Sequence, residues 1–419
     1  MGDDHAAGLV DGRPAGAGGG TPHLFRRLLP VGCVITVIGL MGSFTLPFIS
    51  LFLSTSVGAS PVQTAVFLFL TPLSGVAAAT VIGRLSDRPR SRRRFLLITT
   101  LCGVAGYGVY ASTHHYWVLL AASMSLVAVS AASFPQSFAF ARQVLDSEGS
   151  TGSPKAISTL RMLVSVSWVA GPPVAALLLG ALDFTGLFLL VATGYGLAAL
   201  IIVSRLTEPA AAAGGPAPGQ PGDRPPGGPT MLLAAAAFLM LLCAASLNTL
   251  TMPLYVTNEL RGTVQQAGWI LGLCAVLEIP LMLVFGALTT RIALHRLVLI
   301  GAGLGLAYFG VLSVATSVWQ ALAAQVLAAC FISAVAGLGI SYFQDLRPGH
   351  PGRATTTFTN TQRISAMLAG PVLGLGQHLG YRLAYGSGAV LCAAGLLTLL
   401  YAHRRTRRRD SPPRPEGPI

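Results

Sequence analysis

Long apolar stretches alternate with short polar connections along nearly the whole 419-residue chain. Each stretch has about 20 residues, the length at which a helix crosses a hydrocarbon core of ~30 Å. The pattern therefore predicts twelve transmembrane helices in an all-α membrane protein. Their expected bounds are 28–53, 62–83, 94–112, 117–141, 157–181, 184–204, 231–257, 265–288, 295–314, 317–343, 355–378 and 381–402.

A segment rich in Ala, Pro and Gly separates the sixth span from the seventh. It lacks the apolar bulk needed to pack, and its composition is typical of a flexible linker. We predict five parts in chain order: a disordered cytoplasmic N-terminus (1–27), an N-terminal six-helix bundle (28–206), a cytoplasmic linker (207–229), a C-terminal six-helix bundle (230–402) and a basic cytoplasmic tail (403–419).

Short motifs recur in the two halves, in the same order and at a near-constant offset. The pairs are Val62-Gln63 with Val264-Gln265, Thr45-Leu46-Pro47 with Thr251-Met252-Pro253, and Gly171-Pro172 with Gly370-Pro371. Duplication of a six-helix unit explains this order better than chance does. Two parallel repeats of this kind predict a substrate site between the halves, near the middle of the bilayer.

Composition and charge agree with a membrane protein. Hydrophobic residues make up 53% of the chain and charged residues 10%, whereas a soluble domain has roughly 25% charged residues. Most of the 27 Lys and Arg residues fall in the termini and in the connections on one side. The positive-inside rule places that side, with both termini, in the cytoplasm. The net charge of +13 is therefore a topology signal rather than a nucleic-acid surface, and the basic tail is suited to anionic lipid.

Motifs of catalysis and metal binding are missing from the sequence. The six cysteines are scattered among the spans without metal-ligand spacing. Neither a nucleotide-binding loop nor a hydrolase motif is present. We therefore expect no metal, no cofactor and no enzymatic activity.

Two arginines, Arg161 and Arg363, lie inside predicted spans at equivalent positions of the two repeats. A charge inside the membrane costs at least ~2.5 kcal/mol, so it normally faces the protein interior and a partner. Trp168 shares a helical face with Arg161, and Asn360 lies one turn before Arg363. We predict that these four residues bind a hydroxyl-rich or acidic substrate. The alternative is structural, with each arginine reaching the cytoplasmic surface or capping a neighbouring helix.

Two interior amides, Gln136 and Asn248, are further predicted substrate contacts. Amide side chains inside a membrane also join neighbouring helices by hydrogen bonds. Both interpretations stay open for each residue.

Glu278 stands at the middle of the eighth span, and its counterpart in the first repeat is Val76. Desolvation favours the protonated form of a carboxyl in hydrocarbon, whereas a nearby arginine favours the charged form. A carboxyl between these tendencies can load a proton on one side and release it on the other. We predict that Glu278 couples transport to protons, with Arg161 or Arg363 within reach. The alternative is a permanently protonated or permanently ion-paired structural residue.

Two Gly-Pro pairs, Gly171-Pro172 and Gly370-Pro371, interrupt the fifth and eleventh spans. Proline removes a backbone donor and bends a helix. The pairs predict hinges on which the two halves move, with simple helix bending as the alternative.

The connection after the second span carries the first family resemblance. Gly83, Asp87 and Arg88, followed by Arg92-Arg93, resemble the second-to-third-span signature of the major facilitator superfamily. Gly171-Pro172 resembles the fifth-span antiporter motif of the same superfamily. The resemblance implies the major facilitator fold of two six-helix repeats.

Longer segments resemble one family of that superfamily, the bacterial sugar efflux transporters. They are FPQSFAFAR (134–142), LRMLVSVSWVAGPP (160–173), AGWILGLCAVLEIPLML (267–283) and YFQDLRPGHPGRATTTFTNTQRISAMLAG (342–370). The resemblance implies proton-driven export of sugars and glycosides, with Glu278, Arg161 and Arg363 in the family's polar positions. By the superfamily pattern, Asp87 and Arg142, flanked by Gly83 and Arg88, would form a cytoplasmic charge latch that stabilises the outward-open state.

The expected function is therefore secondary active export of a sugar or glycoside by proton antiport, with alternating access between the two halves. A multidrug or amphipathic-molecule antiporter of the same fold is the alternative, and it would require a larger apolar pocket. The expected partners are the substrate, protons and membrane lipids, without nucleic acid, and the expected state is a monomer whose energy source is the proton gradient.

Overall fold

The computed structural model describes residues 21–86, 92–147, 153–207, 229–347 and 351–410, which form helices and short turns without any strand. We number the helices α1 to α12 in chain order. They are α1 (Thr21–Thr45, continued by Leu46–Phe48 and Ile49–Thr55), α2 (Pro61–Ser86), α3 (Arg92–Ser112), α4 (Tyr116–Ala122 to Ser133–Ser147), α5 and α6 (together Ser153–Arg205), α7 (Pro229–Leu254, continued by Tyr255–Glu259), α8 (Val264–Leu288), α9 (Leu294–Val314), α10 (Val318–Ala323 to Leu338–Asp345), α11 (Pro351–Leu379) and α12 (Tyr381–Asp410).

Ten helical segments in the described residues are long and apolar enough to cross a membrane. One of them contains both α5 and α6, because helical geometry is interrupted there at Asp183, where φ is 55° and ψ is −175°. A positive φ with this extended ψ is a conformation that non-glycine residues rarely adopt, so Asp183 marks a sharp break between two spans. Helix α11 is more polar than these ten segments, and with it the number of helices is the predicted twelve. The predicted all-helical membrane fold is confirmed.

The ends of the helices extend beyond the predicted spans. Residues 21–27, which we predicted to be disordered, belong to α1, and residues 403–410 of the predicted tail belong to α12. Polar residues continue a helix once its apolar part has set the axis, so hydropathy marks the membrane boundary rather than the helix end. Residues 1–20, 208–228 and 411–419 lie outside the described residues, and so do the remaining predictions made for them.

Each half has its own apolar core. One cluster of buried side chains is built mainly from α1 to α6, and the other comes entirely from α7 to α12. The fourth helix of each half, α4 or α10, contains a π-helical turn, Ser123–Val127 and Ser333–Gly337. Such turns hold one extra residue and often occur at functional sites. The duplication expected from sequence motifs is matched at this position, whereas α7 has the π-helical turn Tyr255–Glu259 and its counterpart α1 has a 3₁₀ turn, Leu46–Phe48.

The halves meet mainly in two seams, α5 with α8 and α2 with α11, and the end of α1 also packs against α7, where the Ser50 hydroxyl donates to the Leu250 carbonyl oxygen at 2.5 Å. In the first, a Cβ atom on Gly268 would come within 2.8 Å of the Pro172 carbonyl oxygen. In the second, a Cβ on Gly370 would lie 2.6 Å from the Cβ of Leu68. Glycine allows helices in a membrane to approach this closely. These contacts lie in the halves of the helices that are remote from the chain termini, so the two bundles are closed against each other at that end.

Two arginines hold the first bundle together at the end that carries the termini. The Arg92 guanidinium donates to the Ala139 carbonyl oxygen at 3.1 Å, which connects α3 to α4. Arg93 donates to the carbonyl oxygens of Ile202 (3.3 Å) and Val203 (2.7 Å) in the last turns of α6. A cation at a helix C-terminus satisfies carbonyl groups that have no partner within the helix.

A cavity between the two halves as the candidate functional site

A cavity of about 240 Å³ lies between the two halves. Five helices of the first half and two of the second contribute to its wall. The lining residues are Thr45, Leu46, Ile49, Phe67, Leu68, Thr71, Pro72, Tyr107, Tyr110, Val127, Trp168, Ser246, Thr249, Leu250 and Ala366. Within the described part of the chain, the wall holds hydroxyl groups, aromatic rings and aliphatic side chains but no charged group.

The polar groups of the cavity are fixed by contacts behind the wall. The hydroxyls of Thr45 and Tyr107 lie 3.5 Å apart, and the Tyr110 hydroxyl is hydrogen-bonded to Ser123, the first residue of the π-helical turn in α4. By contrast, Thr71 Oγ1 is buried without a hydrogen-bond partner among the described residues. Because buried polar atoms are nearly always paired, a hydroxyl without a partner in a cavity wall is suited to a ligand.

The two arginines precede residues of the cavity wall on the same helices. Arg161 precedes Trp168 by two helical turns on the same face of α5, and Arg363 precedes Ala366 by one turn on α11. Asn360 lies one further turn away on α11. All three polar residues are exposed, and no hydrogen bond or ion pair engages either arginine side chain in the described part of the chain. Neither arginine belongs to the cavity wall, whereas Trp168 does.

Glu278 is separate from the cavity. It is partly buried in α8, and its Oε1 accepts a hydrogen bond from the Cys274 thiol at 3.4 Å. Its backbone carbonyl oxygen accepts a hydrogen bond of 3.3 Å from the hydroxyl of Ser333, which is the first residue of the π-helical turn in α10. The expected proximity to Arg161 or Arg363 is not observed, because no ion pair to Glu278 occurs within the described ranges. The side chain instead faces its own bundle.

The two amides lie in the bundles rather than in the cavity wall. Asn248 is buried, and its Oδ1 accepts hydrogen bonds from Tyr308 of α9 (2.7 Å) and Tyr385 of α12 (3.2 Å). Gln136 is buried in α4. For Asn248 the geometry favours the alternative interpretation, in which the amide joins three helices.

Replacing Asn248 with alanine should destabilise the protein by about 1–3 kcal/mol, because two buried tyrosine hydroxyls would lose their acceptor. The sugar affinity of folded Asn248→Ala protein should not change. Thermal unfolding in detergent and equilibrium binding of sugar measure the two quantities. A large loss of affinity without loss of stability would support direct contact with substrate instead.

The predicted hinges lie in the seams. Helices α5 and α11 continue through Pro172 and Pro371 without a break in helical geometry. Gly171 packs against Ser43 of α1, and Gly370 packs against Leu68 of α2. Gly370 therefore belongs to a seam, whereas Gly171 packs inside the first bundle and the neighbouring Pro172 carbonyl reaches the other seam. The hinge role of both pairs stays a prediction.

The predicted charge latch is only partly described. Asp87 and Arg88 lie outside the described residues, and Arg142 is exposed. A Cβ on Gly83 would meet no atom within 4 Å among the described residues.

Several cavity residues were missed by sequence reasoning. Thr71, Tyr107 and Thr249 line the cavity, yet threonine and tyrosine are frequent in helices and only helix rotation decides which of them face the interior. Thr45 could have been found from the sequence, because it belongs to one of the motifs that are repeated in the two halves.

Comparison with known proteins supplies the family. A model described as the Major Facilitator Superfamily matches residues 31–252 and again residues 233–418. Sugar efflux transporter A of Dickeya chrysanthemi is 35% identical over 84% of this chain and 91% of its own length. Sugar efflux transporter C of Escherichia coli is 31% identical over 82% of this chain and 87% of its own length.

Solved structures support the fold at lower identity. A bacterial homologue of the human lysosomal transporter Spinster, described as inward-facing and unoccupied, superimposes with a TM-score of 0.71 at 13% identity, over 94% of this chain and 100% of the other. The nucleoside transporter NupG superimposes with a TM-score of 0.69 at 11% identity, over 90% of this chain and 98% of the other. With two six-helix halves around a central cavity and these relatives, the chain belongs to the major facilitator superfamily, in the family of the bacterial sugar efflux transporters.

Proposed function

We propose that this protein exports a sugar or glycoside from the bacterial cytoplasm through the cavity between its two halves. The observation that carries the proposal is the wall of that cavity, which contains hydroxyl groups, an indole ring and Thr71, whose buried Oγ1 has no hydrogen-bond partner among the described residues. A sugar presents hydroxyls that donate and accept hydrogen bonds and an apolar face that can lie against an aromatic ring. The relatives named as sugar efflux transporters support the same substrate class.

Export by alternating access is consistent with the closed seams. If both termini are cytoplasmic, as the basic connections indicate, the end closed by Gly268 and Gly370 is the external end. The exposed residues Arg161, Asn360 and Arg363 then mark a cytoplasmic entrance. In this proposal the conformation is inward-facing, and the sugar enters past the arginines before the two halves rock against each other.

Proton antiport would use Glu278. Its carboxyl lies in the membrane, is partly buried and has a neutral thiol as its hydrogen-bond donor rather than a basic group. A carboxyl in such surroundings can exist as the neutral acid, whereas an ion-paired carboxylate would hold its charge. Because Glu278 does not line the cavity, proton and sugar would bind at different places, and their coupling would be conformational.

The multidrug alternative fits less well. Pockets for drug-sized molecules occupy roughly 300–1,000 Å³, whereas this cavity measures about 240 Å³. A bulky amphipathic compound would not fit this volume, and it would offer no hydrogen bond to the Thr71 hydroxyl.

Proteoliposomes acidified inside and supplied with labelled sugar outside test the function. Molecules inserted inside-out should accumulate sugar in exchange for protons, and a protonophore should abolish the accumulation. A parallel assay with cationic dyes tests the alternative. Accumulation of dyes without sugar would replace the sugar proposal with the multidrug one.

Replacing Thr71 with valine should weaken sugar binding about 3–10-fold, because one hydrogen bond to the substrate is lost. Stability should hardly change, since the hydroxyl has no protein partner to lose. Thr71→Ser is the matched control and should bind nearly as the wild type does. Equilibrium binding and thermal unfolding provide the two readouts, and unchanged affinity in Thr71→Val would remove Thr71 from the site.

A further inference from the structure

A second cavity, of about 520 Å³, lies along the seam between α2 and α11. It is lined by Pro61, Val62, Ala65, Val66, Phe69, Leu70, Pro371, Gly374, Leu375 and His378. Nine of these residues are apolar, and the exception, His378, lies near the end of α11 that is remote from the termini. We call this cavity the seam groove. It shares no lining residue with the central cavity.

The seam groove opens away from the protein interior. Val62, Val66 and Leu375 are 71%, 39% and 63% exposed. All three belong to membrane-spanning helices, so the surface they form contacts hydrocarbon. The groove is therefore an indentation in the lipid-facing surface rather than a path for a water-soluble molecule.

The floor of the groove is the contact between the two halves. A Cβ on Gly374 would lie 2.6 Å from the Cβ of Ala65 and 2.8 Å from the Pro61 carbonyl oxygen. Glycine, alanine and proline bring the two backbones together but leave the space above them unfilled. In the other seam, between α5 and α8, the Gln265 side chain lies against Gly180 instead.

The apolar lining of the groove determines which kind of molecule can occupy it. Water needs two or more polar partners in a cavity, and a sugar would lose its hydrogen bonds against an apolar wall. An acyl chain fits, because the wall is apolar, elongated along the helices and open to the bilayer. His378, at the rim, can hydrogen-bond to the ester or phosphate oxygens of the same lipid.

We propose that the seam groove binds one acyl chain of a phospholipid from the adjacent leaflet, and that this lipid stabilises the conformation closed at that end. The chain would contact α2 and α11 together only while the seam is closed. A ligand that prefers one of two conformations shifts the equilibrium toward it. The conformational part of this inference rests on the alternating access proposed above, whereas the binding part does not.

Crosslinking with a photoreactive lipid tests binding independently of transport. Wild-type protein in nanodiscs receives a phospholipid with a diazirine in its acyl chain, and mass spectrometry maps the adducts. A lipid bound about tenfold more tightly than bulk lipid (~1.4 kcal/mol) should label the groove about tenfold more than the surface around Leu177. Leu177 is a suitable reference because it is 51% exposed on α5. Dilution of the probe with ordinary phospholipid should lower the labelling of both places in proportion and leave their ratio unchanged.

Filling the groove provides the matched variants. Val66→Trp should remove most adducts from the α11 wall, whereas Leu177→Trp should leave them unchanged. Equal labelling of the groove and the Leu177 surface at every dilution would overturn the binding proposal, whatever the transport assays show.

The conformational effect is measured by hydrogen exchange of the closed ends of α2 and α11. Replacing the bulk lipid by one with shorter acyl chains should raise exchange there in the wild type and in Leu177→Trp, but less in Val66→Trp, where the indole replaces the lipid. Equal lipid dependence in all three proteins would refute the stabilising role.

Discussion

Replacing Glu278 with glutamine should abolish gradient-driven sugar accumulation while sparing sugar counterflow. The amide resembles the protonated carboxyl in shape and neutrality, so the protein can still bind sugar and change conformation. It cannot release a proton, so the gradient no longer drives the cycle. We expect accumulation to fall ~100-fold or more, in line with the loss of other proton-transferring groups. Proteoliposomes with labelled sugar measure both activities.

Glu259→Gln is the matched control for this prediction. Glu259 is the acidic partner of Arg382 at 2.7 Å, and the two side chains are 29% and 46% exposed. An ion pair with that exposure contributes only ~0–1 kcal/mol, so accumulation should stay near the wild-type level. If Glu278→Gln still accumulated sugar against its gradient, the proton would have to be carried elsewhere. Loss of counterflow as well would indicate a defect in binding or folding.

Leucine at Gly268 or Gly370 should hold the protein open at the end that is now closed. Each seam leaves no room for a side chain, since a Cβ would meet the Pro172 carbonyl in one and Leu68 in the other. Overpacking of this kind costs about 1–3 kcal/mol, which corresponds to a shift of about 5–150-fold between two conformations. Counterflow should fall accordingly, and hydrogen exchange should rise in the adjoining helix ends.

Gly286→Leu is the control in the same helix as Gly268. A Cβ at Gly286 has no atom within 4 Å, so this variant adds the same apolar side chain without obstructing a seam. Its transport and exchange should match the wild type. Normal counterflow in Gly268→Leu and Gly370→Leu would show that closure of these seams is not a step in transport.

The positions of the spans could be predicted from the sequence because hydrophobic length determines where a chain crosses a membrane. The placement of Trp168 also followed from the sequence, since residues two turns apart share a helical face. The Cys274–Glu278 hydrogen bond likewise joins two residues at an i to i+4 spacing, which is visible in the sequence. Such local relations require no knowledge of how the helices pack.

The partners of the buried polar groups could not be predicted. Asn248 accepts hydrogen bonds from residues on two helices that are distant in sequence. No ion pair joins Glu278 to either arginine within the described residues, and its carboxyl accepts a hydrogen bond from Cys274 of its own helix instead. Both outcomes depend on the rotation of each helix about its axis, and that rotation is set by packing across the whole bundle. The same dependence hid Thr71, whose importance comes only from the side of α2 on which it lies.

The π-helical turns of α4 and α10 carry information about ancestry. Each holds one residue more than a regular helix would, and they occupy the same helix of the two halves. A single insertion in an ancestral six-helix protein, copied when its gene was duplicated, accounts for both. The two turns now make different contacts. Val127, at the end of the turn in α4, borders the central cavity, whereas Ser333, at the start of the turn in α10, donates to the backbone oxygen of Glu278. The π-helical turn of the first half therefore contributes to the central cavity, and that of the second half contacts the helix that carries Glu278.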